Sequence, residues 1–241
     1  MWDLLFSLLE RVFGWAKARR EFRVEGEEYL DRNSLTYSDL LHRLIGLDHA
    51  TLPGVNPINE GSVEQWVPVF KADPEAWRLV VFRRKVIAGY FSAFSLKDEA
   101  FAKLLDGKLA DSELDASMLR SLSERGQHKL YVCTLISMHD FDTEHARVRD
   151  RITLALIQHL HELGKRGVLV EEVSAYAFSD DGERVCRQVG MTKIEQAQNR
   201  QGGQLFHAKV IPVAEALRNN RLTRKLALIY DAQLKRQPVS T

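Results

Sequence analysis

Residues able to do acid, base, nucleophilic or metal chemistry are scattered along this chain rather than gathered into one motif. Cys133 and Cys186 stand far apart, with no CxxC spacing and no Cys/His cluster around either, so no zinc site is expected. His139, Asp140, Asp142 and His145 fall in one short stretch, but their spacing fits no recognised metal site. Glu171 and Glu172 are adjacent in an apolar run; neighbouring strand residues face opposite sides, so at most one serves any single cleft. His159 and His161, two apart in a helical stretch, cannot share a helix face.

The background composition is that of an ordinary globular chain: 241 residues, 45% hydrophobic, 28% charged, formal net charge +1. One domain with appendages is expected. The near-zero charge gives no broad field for nucleic acid or membrane, and two isolated cysteines suit a reduced, cytoplasmic protein. Residues 2–16 place Trp2, Leu5, Phe6, Leu9, Val12, Phe13 and Ala16 near one helical face. Asp3, Glu10 and Arg11 interrupt this stretch, which rules against a signal peptide or a membrane span. An amphipathic helix there suits docking on its own domain, homodimerisation or a protein partner, ahead of a membrane surface.

The elements that must position the chemistry follow from periodicity. Residues 36–47 read as a helix stopped by Gly46, and 48–62, with two prolines and two glycines, as a loop. Residues 77–96 read as a hairpin and 129–138 as a central strand, apolar on both faces. Residues 97–126 are expected to be helical, ending at Gly126. Ile152, Leu156, Leu160 and Leu163 predict a helix closed by Gly167. Strand 168–173, helix 180–189, strands 192–197 and 204–211, and a terminal helix over 213–236 complete the order. That last segment carries Arg218, Arg221, Arg224, Lys225, Lys235 and Arg236. A strand–helix–strand unit in the middle requires a right-handed crossover and a parallel pair. The predicted class is α/β: a mixed, mostly antiparallel sheet with helices on both faces. Its predicted parts are an N-terminal helix over 1–24, a central domain over 25–211 and a basic C-terminal helix over 212–241.

Over residues 77–211 the sequence resembles the GNAT N-acyltransferase superfamily. The resemblance is clearest in LGKRGVLVEEVSAYAFSDDGERVCRQVGM, where Arg166-Gly167, Val168 to Val173 and Val189-Gly190-Met191 fill the family's helix-end, strand and closing Gly-hydrophobic positions. It implies two parallel strands that part to leave a wedge for the pantetheine arm of acetyl-CoA or another acyl-CoA, with no metal. An amine of unknown identity then attacks the thioester directly.

The resemblance also implies site residues. Leu135, Ile136 and Ser137 would offer backbone groups to pantetheine. Counting back from Gly167, Arg147, Asp150 and Ile152 fall on the pyrophosphate-loop pattern, placing Asp150 and Ile152 where the family carries glycines or a small residue. Arg147, Arg149 and Arg151 would then reach the phosphates with side chains. The usual acid is a tyrosine four residues before the closing glycine; Cys186 occupies that place, and Tyr176 is a substitute. Glu172 would act through water as base for the amine. These departures set a rival expectation: a GNAT-like fold without catalysis, acting as a binding module through its terminal helices.

Overall fold

The computed structural model describes residues 22–52, 60–138, 145–195, 202–211, 215–219 and 223–235; the amphipathic stretch 2–16 lies outside them. Among the described residues the elements run β1 (Phe22–Glu25), α1 (Glu28–Asn33), α2 (Tyr37–Thr51), α3 (Val63–Ala72), β2 (Trp77–Phe82), β3 (Val86–Leu96), α4 (Asp98–Leu105) and β4 (Gly126–Ser137). They continue with α5 (His145–Arg166), β5 (Val168–Ala177), α6 (Asp180–Gln188), β6 (Thr192–Lys193), β7 (Gln204–Lys209), α7 (Glu215–Asn219) and α8 (Arg224–Leu234).

Seven strands form one sheet in the order β1-β2-β3-β4-β5-β7-β6. Among the described strands only β4 and β5 pair in parallel; every other neighbouring pair is antiparallel. This is the mixed α/β, GNAT-like arrangement expected from the sequence, with helices on both faces. The crossover helix α5 supplies the length that a parallel connection needs.

The sheet is central to the core because β3 is buried on both faces over nearly its whole length. On one face Tyr90 and Phe94 meet α2 and α3: the Tyr90 hydroxyl donates to Asp48 Oδ2 at 2.6 Å, and Phe94 stacks on Trp66 at 6.0 Å. On the other face Phe91 packs on His159 of α5, ring centroids 6.0 Å apart. Burial pushes the His159 imidazole down to about 4, so it is a neutral core group.

Local signals explain most boundaries and correct several expectations. Thr36 and Asp39 form a capping box at the start of α2. The helix then runs through Gly46 to Thr51, because Gly46 lies in open space and nothing forces a stop. Residues 97–126 are helical only over α4. Short side chains then divert the backbone into two 3₁₀ turns, Asp111–Glu113 and Ala116–Met118, the second capped by Asp115 onto Ser117 N–H at 2.7 Å.

The terminal segment is two short helices rather than one. The second, α8, is part of the core: Tyr230 is fully buried and accepts from Val170 N–H at 3.0 Å. Its basic character is partly neutralised within the fold, since Arg218 reaches back to Asp231 through two bonds of 2.6 and 2.9 Å. The boundary expected at residue 24/25 falls inside β1, which pairs with β2 from Phe22 onward. Among the described residues no helix is long and apolar enough to cross a membrane.

Candidate active site

The parallel register of β4 and β5 runs from Gly126↔Val168 to Val132↔Ala175 and ends there. Beyond that point β4 stays on β3, through Thr134↔Ser92 to Ser137↔Gly89, while β5 stays on β7 to Ala177↔Gln204. The cause lies in one residue. Between Val132↔Ala93 and Thr134↔Ser92 the register shifts, so Cys133 is an extra residue in β4. A bulge bends the strand that carries it and increases its twist, here at the point where β4 turns away from β5. The edges of residues 133–137 and 176–177 are left facing each other across a gap.

A cavity of about 570 Å³ occupies this gap and extends between α5 and α6, within the size range of small-molecule sites. Val132, Leu135, Ala175 and Ala177 line it from the strands, Thr153 and Leu156 from α5, and Val185, Cys186 and Val189 from α6. Leu160, Val170, Leu226 and Tyr230 carry the apolar lining on toward α8. Arg149 stands at the α5–α6 side, 3.7 Å from Asp181 and 4.0 Å from Asp150.

Leu135, Ile136 and Ser137, expected to meet pantetheine, all line the cavity. The expected phosphate loop does not hold in its counted register. Helix α5 begins at His145, so Arg147, Asp150 and Ile152 lie within helix rather than before it. Ile152 is fully buried in the core beside Gly89 of β3, and Asp150 points outward at 71% exposure. Neither fills a phosphate site. Arg149 remains a cavity residue; Arg151 is half-buried and not among the lining. The side chains of His145 and Arg147, and His139, Asp140 and Asp142, fall outside what the structure describes. Among the described residues no group of three His, Cys, Asp or Glu is placed to hold a metal.

Glu172 is a correction. It sits where β4 and β5 are still paired, away from the cavity lining. There it accepts from His207 at 2.8 Å and lies 3.6 Å from the Lys129 ammonium, so it stabilises the sheet surface rather than facing the gap. Cys186 does line the cavity but belongs to a small apolar cluster with Ala175, Ala177, Met191 and Phe206. Burial, reinforced by Glu183, pushes its thiol up to about 11.

Tyr176 is the first residue of β5 beyond the parallel register, and it lines the cavity. Its ring meets Tyr131 edge-on, centroids 6.4 Å apart. Its buried hydroxyl has no hydrogen-bond partner, and burial, then the charge of Asp111, pushes it up to about 12. A buried hydroxyl with no partner costs about 1–3 kcal/mol, so the fold keeps a proton donor unsatisfied at the opening. Sequence reasoning missed the groups behind it. The Tyr131 hydroxyl donates to Asp111 Oδ1 at 2.7 Å, and the Tyr90 hydroxyl donates to Asp48. These carboxylates come from distant segments, and no local pattern marks them.

No family model matches the chain, and no curated protein matches it. Among solved structures it is similar to the "C-terminal condensation domain of Ebony in complex with beta-alanyl-dopamine", at 9% sequence identity and a TM-score of 0.43, covering 79% of this chain and 99% of that one. At that identity and score the likeness fixes neither a family nor an activity.

Proposed function

We propose that this protein is a GNAT-type N-acyltransferase that moves an acyl group from an acyl-CoA to an amine. The observation that carries the reading is the parting of β4 and β5 at the bulged Cys133, over a cavity whose lining is mostly apolar. An extended arm with amide groups matches such a site: unpaired strand edges supply donors and acceptors, as in strand addition, while apolar walls cover its carbon chain.

In the reaction the amine nitrogen forms a bond to the thioester carbon and the C–S bond breaks. The oxyanion formed in between is stabilised by a backbone N–H on the free edge of β4. Tyr176 protonates the leaving thiolate. The attacking amine enters as an ammonium and leaves as an amide, losing two protons. One is balanced by the thiol, and one passes to solvent. Arg149 attracts the phosphates of the donor, and the apolar extension toward α8 accommodates acyl chains longer than acetyl.

Isothermal titration with acetyl-, butyryl- and octanoyl-CoA tests the reading. Micromolar binding of at least one donor is expected, with thiol release accelerated by a primary amine. No heat with any of the three would overturn the enzyme.

A further inference from the structure

The large cavity does not end where β4 and β5 part. It continues toward the start of β5, over the face of the still-paired strands and under α5 and α8. Val173 and Ala175 of β5 and Val132 of β4 point to that face, and Leu156 and Leu160, one turn apart on α5, stand over it. Val132, Leu156, Leu160 and Val173 are only partly buried, so helix and sheet do not close on each other there as they do in an ordinary core.

The far end is built as a wall. In the β4–β5 ladder His128↔Val170 is followed by Lys129↔Glu172, so Glu171 is an extra residue in β5. The backbone groups at this bulge are taken up by neighbours. Val170 N–H donates to the Tyr230 hydroxyl at 3.0 Å, and the Glu171 carbonyl oxygen accepts from Val210 N–H at 2.7 Å and Ile211 N–H at 3.1 Å. Tyr230 fits against α5 because Gly164 has no side chain: a Cβ there would stand 3.0 Å from Tyr230 Cε1. The Thr223 hydroxyl, also at this end, donates to the Leu217 carbonyl at 2.9 Å. What remains to meet an occupant is mostly carbon, from Val170, Leu226 and Tyr230. Among the described residues the charged lining lies elsewhere: Arg149, Asp180 and Asp181 at the α5–α6 side, and Lys209 exposed on β7.

Depth sets a length. From Ala175, where parallel pairing ends, back to Val170 the strand covers about 15 Å once the bulge is allowed for. A hydrocarbon chain with C–C bonds of about 1.5 Å advances about 1.25 Å per carbon when extended, so about twelve carbons reach the wall. Resting on the acyl-transfer reading above, we infer that the donor is a medium-chain fatty acyl-CoA of about ten to twelve carbons, whose tail lies under α5 and stops against α8. Each buried CH₂ strengthens binding about threefold to fourfold, less what is lost in ordering the chain.

The test uses the full chain without acceptor and titrates CoA and acetyl-, hexanoyl-, dodecanoyl- and hexadecanoyl-CoA by calorimetry, below their micelle concentrations. Dodecanoyl-CoA is expected to bind about 100-fold tighter than acetyl-CoA, and hexadecanoyl-CoA at least tenfold weaker than dodecanoyl-CoA. Leu160→Trp, which fills the channel partway, should move the optimum to hexanoyl-CoA. Leu226→Ala, which opens the end, should remove the penalty on hexadecanoyl-CoA. Far-UV circular dichroism reports whether each variant is folded, and the chain-length series in the unaltered protein decides the question even where one is not. Equal affinity for all the acyl donors would overturn this inference and leave acyl transfer standing. Affinity that rises steadily through hexadecanoyl-CoA would deny the wall and overturn it too. Binding of neither CoA nor any of its esters would remove the acyl-transfer reading, and this inference with it.

Discussion

On the acyl-transfer reading, two residues compete for the role of acid at the parting of the strands, and their surroundings separate them. Cys186 sits in an apolar cluster whose members need a small hydrophobe, a common use for a buried thiol. Tyr176 has its ring held between Tyr131 and Phe178, and its hydroxyl left without a partner. Tyr176→Phe keeps the ring and removes only the donor. It should lower kcat about 100-fold, with KM for the acyl-CoA unchanged, in a thiol-release assay. Cys186→Ala should cost less than threefold in the same assay. The opposite ranking would return the role to Cys186. The sequence offered both candidates, but by position it favoured the cysteine; only the partner list of each side chain reverses the order.

At the scale of elements, two glycines make opposite predictions. Gly89 in β3 faces Ser137 across the β3–β4 ladder. A Cβ there would collide with Ile136 O and Ile152 Cδ1, and would come within 3.1 Å of Ser137 Cα. Gly89→Ala should therefore push β4 or α5 away from β3 and cost about 1–3 kcal/mol, read as a lower urea midpoint, with weakened acyl-CoA binding as β4 shifts. Gly46, inside α2 with no atom near its missing Cβ, should gain about 0.5–1 kcal/mol on replacement by Ala. A fall in stability at Gly46, or no change at Gly89, would contradict the packing described. The same pair shows what periodicity conveys. The central strand, the crossover helix and the Gly167 and Gly190 boundaries were legible, because alternation and helix-end glycines are local signals. The end of α2 was not, since a glycine ends a helix only where the backbone is also asked to turn. The start of α5 was misplaced by two turns although Val148, fully buried four residues before Ile152, continues the apolar stripe: the charged residues around it masked a signal that was there. The bulge at Cys133, which creates the opening, leaves no mark in sequence at all: it is a property of register between two strands.

At the scale of the whole molecule, the sheet separates two cavities. The larger cavity lies between the sheet and α5, α6 and α8, while a second, smaller cavity lies between the sheet and α2 and α3. Among the described residues they share Cys133 and Thr134 of β4, so filling one does not require emptying the other. On the acyl-transfer reading, donor and amine bind together, and the acyl group passes from sulfur to nitrogen without first resting on the protein. The cysteines offer no alternative path: Cys186 is pushed up to about 11, far from the thiolate that a covalent route needs. Initial rates measured over a grid of acyl-CoA and n-butylamine concentrations should therefore give intersecting double-reciprocal lines. Parallel lines, with a burst of thiol before any amine is added, are the kinetic signature of a covalent acyl-enzyme. They would show that donor and acceptor are used in turn, with the acyl group resting on the protein between them.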